Sequence, residues 1–170
     1  LGSTRHIAVS KQGDVYAKLS KFKDGKGIVL LKDKDRDGVY EDQKMYGNYT
    51  GTGIAIHDNY FYASSNKGVF RYALNASGEV ADWNKFETIV DGLPDHGRDN
   101  AKSFTFDQDR KNIYVTIGSW NDPCREAGSG KGMNPCAVLD SAGGVWRFDA
   151  AKLNQGFADG TRFATGLKNA

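Results

Sequence analysis

The chain has 170 residues, 39% of them apolar, and its 23 basic and 21 acidic side chains leave a net charge of +2. The two signs are interspersed, without the concentrated basic stripe that a nucleic-acid partner demands. No apolar run approaches the roughly eighteen residues of a membrane span, so nothing in this segment is expected to cross a bilayer.

Short alternating strands then recur in chain order. His6-Ile7-Ala8-Val9 leads through Gly13-Asp14 to Val15-Tyr16-Ala17, and Gly27 precedes Ile28-Val29-Leu30-Leu31. Gly53-Ile54-Ala55-Ile56 leads through His57-Asp58-Asn59 to Phe61-Tyr62-Ala63, followed by Gly68-Val69-Phe70-Arg71-Tyr72. Ser103-Phe104-Thr105-Phe106 leads to Ile113-Tyr114-Val115, followed by Gly144-Val145-Trp146-Arg147-Phe148. The tyrosines at 16, 62 and 114 mark a period of about fifty residues, the signature of a propeller blade. Helical periodicity is nearly absent, with one turn at most around Ala150 to Asn154.

The expected fold is therefore all-β, a β-propeller of about three four-stranded blades, each an inner strand, a turn, a middle strand and an outer part. Rings close with about 4–8 blades, so residues 1–170 read as a single partial propeller, a segment of a longer protein.

Several further features have chemical content. Residues Lys18 to Lys34 are lysine-rich, which reads as a solvated face. Asp33-Lys34-Asp35-Arg36-Asp37-Gly38 places three carboxylates at alternate positions, with Glu41 at the ninth. Hard cations need several oxygens converging from a tight loop. The twelfth position is Lys44, so an EF-hand fails for want of its bidentate glutamate. Two readings remain: a shorter calcium loop, or an acidic hairpin turn in which Lys34 and Arg36 offset the charge.

Leu93-Pro94-Asp95-His96-Gly97-Arg98-Asp99-Asn100-Ala101-Lys102 precedes the inner strand of the third unit. A histidine beside an aspartate can act as a general base; taken alone, His96 reads first as a loop histidine, and His6 and His57 as structural residues at strand ends. Cys124 and Cys136 share one loop rich in Gly, Asn and Pro. A disulfide there would stabilise the loop by roughly 3 kcal/mol and points to an oxidising compartment such as a periplasm. Free thiols are the alternative, and a metal pair is weaker because no histidine or third cysteine lies nearby. Asn48-Tyr49-Thr50 and Asn75-Ala76-Ser77 match a glycosylation pattern that is short and frequent by chance.

The run Asn134-Pro135-Cys136, then Ala142 through Ala150, then Arg162-Phe163-Ala164-Thr165-Gly166-Leu167-Lys168-Asn169-Ala170 resembles the soluble sugar dehydrogenases that use pyrroloquinoline quinone (PQQ), especially the sorbosone dehydrogenase branch. Ile113 through Ser119 is similar to the strand before that family's variable loop. The resemblance implies a six-bladed ring of which this chain is about half. It implies hydride removal from an aldose C1 hydroxyl to the quinone, with a histidine base and with calcium holding the cofactor. By motif, His96 is the base; Lys102, Lys168 and Asn169 contact the quinone; a strict register puts Asp99 at the base's position. Lys168 stands where the family carries arginine, losing that side chain's planar fork. The implied partners are a sugar substrate and an electron acceptor, which a protein could supply, and the implied location is periplasmic or otherwise exported. The rival reading is a non-catalytic propeller that binds carbohydrate or a protein within a larger assembly.

Overall fold

The computed structural model of the protein describes residues 1–120, 124–126 and 128–168. These form twelve strands: β1 (Thr4–Val9), β2 (Val15–Lys23), β3 (Lys26–Lys32), β4 (Asp42–Tyr46), β5 (Ile54–His57), β6 (Tyr60–Ser64), β7 (Val69–Ala73), β8 (Glu87–Val90), β9 (Phe104–Phe106), β10 (Asn112–Ile117), β11 (Gly144–Asp149) and β12 (Thr161–Thr165). Among the described residues, the helical content is two single 3-10 turns, Ala137–Asp140 and Phe157–Asp159. The segment from Ala150 to Asn154 stays irregular.

The strands assemble into three four-stranded sheets, ordered β1-β2-β3-β4, β5-β6-β7-β8 and β9-β10-β11-β12. Every pairing with a resolved register is antiparallel, because each strand folds back on its predecessor. The three repeat tyrosines occupy equivalent places. Tyr16 lies between Ala8 and Leu30, Tyr62 between Ala55 and Arg71, and Tyr114 between Thr105 and Arg147. Three sequential meanders with nearly no helix are the blades of a β-propeller fold.

The chain divides into two compact units, Leu1–Ser65 with Val69–Thr88, and Asn66–Gly68 with Ile89–Ala170. In the first, the alternation of β2, β3, β5 and β6 sends Tyr16, Ile28, Leu30, Ile54 and Phe61 into one core. Trp83 joins this cluster, stacked on Tyr46 with ring centroids 4.3 Å apart. Aromatic pairs of this kind add about 0.5–1.5 kcal/mol beyond their buried area.

The expectation of a solvated lysine face fails at Lys18. Its side chain is fully buried, with Nζ donating to the Tyr49 carbonyl at 2.9 Å and lying 3.8 Å from the centroid of the Tyr49 ring. Burial pushes its pKa down to about 7. Lys32 is also drawn in, pairing with Glu79 at 2.6 Å.

In the second unit the core comprises Ile113, Val115, Ile117, Trp146 and Phe148 from β10 and β11. Gln155, 3% exposed, fastens the end of β8 to the turn after β11. Its Nε2 donates to the carbonyls of Ile89 (3.2 Å), Asp149 and Lys152 (both 2.8 Å), while its Oε1 accepts from the Asp149 amide at 3.1 Å.

Candidate functional site

In the second unit, the connection from β8 to β9 and the start of the connection after β10 meet at one end of the third sheet. Asp95 organises the first of these: its Oδ1 accepts the Gly97 amide at 3.3 Å and Asn100 Nδ2 at 3.2 Å. Asp99 takes a left-handed conformation (φ 45°), and its carbonyl packs so closely on Gly118 that a Cβ there would overlap it. A residue without a side chain is what allows the two loops to touch.

This contact places the candidate residues. The exposed His96 ring lies on Trp120, with centroids 3.9 Å apart and planes tilted 47°. Lys102 is fully buried, with Nζ donating to the Asn100 carbonyl at 2.8 Å. Desolvation lowers its pKa to about 8, against the opposing pull of the Asp95 carboxylate. The backbone of the exposed Lys168 joins the same end of the sheet, its carbonyl accepting the amide of the buried Ser119 at 2.6 Å. Asn169 lies outside the described residues.

His96, Asp99 and the backbone of Lys168, separated by up to 72 positions in sequence, are thus gathered around residues 118–120, while Lys102 turns its Nζ to Asn100 within its own connection. Two features went unseen in the sequence: Trp120 as the flat wall behind His96, and Asp95 as the hub. The only available signal was the position of Trp120, immediately after Gly118-Ser119 at the end of an apolar strand.

The acidic loop belongs to the first unit, between β3 and β4. Ligand oxygens of Asp33, Asp35, Asp37 and Glu41 all lie within 4.8 Å of one another. Backbone amides hold them there. Asp33 accepts from Arg36 at 2.7 Å and Gly38 at 2.8 Å, Asp35 from Asp37 at 3.3 Å, Asp37 from Val39 at 2.7 Å, and Glu41 from Lys34 at 3.2 Å. The Lys34 ammonium is turned to Asp42, 2.7 Å away, and holds that carboxyl below its usual range. Four clustered carboxylates without nitrogen or sulfur donors suit a hard cation such as Ca²⁺.

Cys124 and Cys136 are joined in a disulfide, with Cα atoms 5.1 Å apart. The bond closes a loop whose strand-like arms are linked by the Arg125 to Gly132 bridge and by the Met133 amide donating to the Cys124 carbonyl at 2.6 Å. Such a bond persists in oxidising surroundings.

No protein-family model matches the chain, and no curated protein matches it. Solved structures do match. The holo PQQ domain of a pyranose dehydrogenase from Coprinopsis cinerea aligns with a TM-score of 0.75 at 16% identity, over 99% of this chain and 40% of that one. A calcium structure of a Trichoderma reesei carbohydrate-active enzyme of family AA12 gives 0.69 at 18%, over 95% and 40%. The chain has the fold of these domains. The PQQ-bound aldose sugar dehydrogenase of Streptomyces coelicolor gives 0.51 at 17%, over 88% and 45%. The chain thus spans 40–45% of the length of these structures.

Proposed function

We propose that the chain forms part of an exported sugar dehydrogenase that uses PQQ, of the family to which its sequence motifs point. The observation carrying this reading is the contact of the His96 ring with Trp120, next to the Lys168 backbone, at one end of a sheet whose fold is shared with PQQ domains. The disulfide supports export to an oxidising compartment.

The residues present fit the cofactor. PQQ is a planar quinone bearing carboxylates, a shape and charge that suit an aromatic wall such as Trp120 and lysines such as those at 102 and 168. When bound, the quinone accepts the hydride that leaves C1 of an aldose. Lys102, Lys168 and Asn169 are the side chains assigned to hold it. His96 takes the proton of the C1 hydroxyl, so that the sugar loses a hydride and a proton in all and ends as the lactone. An imidazole is suited to that transfer because its ring nitrogen can take a proton and return it, and its contact with Trp120 restrains the ring. Asp99 is the second candidate base in the same loop. Asp33, Asp35, Asp37 and Glu41 would hold a calcium ion, which would stiffen the β3–β4 turn.

The test is dye reduction by the intact protein reconstituted with PQQ and calcium in the presence of aldoses. His96→Ala should lower the rate by about 10²- to 10⁴-fold while quinone absorbance shows that the cofactor still binds. If Asp99→Asn has that effect instead, the base is Asp99. A wild-type protein without sugar-dependent reduction would leave the carbohydrate- or protein-binding propeller as the function.

A further inference from the structure

The first unit carries two adjoining depressions on the turn that joins β1 to β2. One, of about 200 Å³, is lined by Lys11 and Gln12 together with Asp58, Asn59 and Asn75. The other, of about 330 Å³, is lined by the same Lys11 and Gln12 together with Arg36 and Tyr40. Sharing Lys11 and Gln12, they adjoin on that turn as one surface groove with two parts, the larger at the lower end of the range of small-molecule sites, roughly 300–1,000 Å³. Its walls come from the β1–β2, β3–β4 and β5–β6 connections and the turn after β7. The β8–β9 and β10–β11 connections, which carry the candidate catalytic residues, take no part in it.

The groove is held in shape before any ligand arrives. Ser10 Oγ accepts the amides of Gln12 at 3.3 Å and Asp14 at 3.1 Å, which fixes the turn. Gln12 lies across Gly78, where a Cβ would come within 2.5 Å of its Oε1, so the amide is seated against backbone. The Tyr40 hydroxyl reaches the Gly13 carbonyl at 3.4 Å and its ring stays 40% exposed. Asn75 Oδ1 accepts from the Ser77 amide (3.0 Å), the Ser77 hydroxyl (2.7 Å) and the Glu79 amide (3.0 Å), which leaves its two N–H donors for a ligand.

The lining chemistry selects the ligand class. Planar amides beside a carboxylate, an ammonium and a guanidinium give and accept hydrogen bonds in pairs, as adjacent hydroxyl groups require. Lys11 and Arg36 face Asp58 and the four carboxylates of the β3–β4 loop, which outnumber the charge of one divalent ion, so the groove lacks the cationic excess that a phosphate or sulfate would need. Ile56, Leu74 and Ala76 are the apolar side chains of the first depression, too few to receive a lipid chain. The exposed Tyr40 face supplies one flat platform against which the C–H side of a sugar ring can lie.

We propose that this groove binds a neutral oligosaccharide, at a site separate from any oxidation of a free aldose. The proposal goes beyond the dehydrogenase reading and does not depend on it. Its test is affinity electrophoresis of the intact protein through gels containing a soluble neutral polysaccharide, with β-glucan, xylan and starch run in parallel. The wild type should be retarded by at least one of them. Tyr40→Ala and Gln12→Ala should each weaken the retardation tenfold or more with an unchanged melting temperature, while His96→Ala should leave it intact. Free migration through all three gels, retardation only by an anionic polymer such as polygalacturonate, or retardation unaltered in both groove variants would each overturn it.

Discussion

Lys18 is the residue whose environment departs furthest from its sequence context. It sits among solvent-facing lysines, yet its ammonium is sealed beneath Tyr49 with one carbonyl partner. A lysine pKa lowered on folding means that the unfolded chain binds the extra proton between the two values, so stability rises with pH across that interval. For Lys18 the interval runs from about 7 to its ordinary 10.5, and for Lys102 it begins at about 8. Urea midpoints should therefore climb between about pH 7 and pH 9.5, and Lys18→Met should flatten much of the climb while raising stability at neutral pH. An unchanged slope in that variant would mean that the ammonium is solvated in the native protein. Nothing in a run of lysines distinguishes the one that is enclosed, because enclosure comes from Tyr49, thirty-one residues away, and from register.

At the scale of elements, the inner and middle strands were legible because apolar residues alternate along them. The fourth strands were not. Asp42-Gln43-Lys44-Met45-Tyr46 and Thr161-Arg162-Phe163-Ala164-Thr165 contain almost no buried residue, so they carry no burial pattern, and only pairing with β3 and β11 makes them strands. The acidic loop was legible for the opposite reason, since alternate carboxylates and a glycine state their geometry directly. If that loop holds calcium, the ion should raise the melting temperature, by an amount equivalent to about 2.7 kcal/mol at a hundredfold excess over Kd. Asp35→Asn with Glu41→Gln keeps the acceptors of the backbone bonds and removes two charges, so it should abolish the calcium response with little change in its absence. A response that survives in this double variant would place the ion elsewhere.

Across the whole molecule, the repeat carries a steric rule as well as a pattern. Gly27, Gly68 and Gly144 each stand at the entrance to the third strand of a blade, and in each blade a backbone carbonyl passes directly over the glycine. The carbonyl belongs to Tyr49 in the first blade, Val90 in the second and Ala164 in the third, and a Cβ at any of the three glycines would overlap it. The sequence shows that glycine recurs there. Only the structure shows why, because the passing carbonyl lies about twenty residues downstream, in another segment of the blade. The same cause should give the same effect in all three blades. Gly27→Ala, Gly68→Ala and Gly144→Ala should each destabilise the protein by about 1–3 kcal/mol, the usual cost of forcing extra volume into a packed position, as read from urea unfolding. Gly2→Ala, at a position where a Cβ meets nothing within 4 Å but φ is +93°, serves as a control for backbone strain without overlap. Should the three blade glycines tolerate alanine as well as that control does, the close approach of the carbonyls would not be a structural requirement of the blade, and the recurrence of glycine would need another cause.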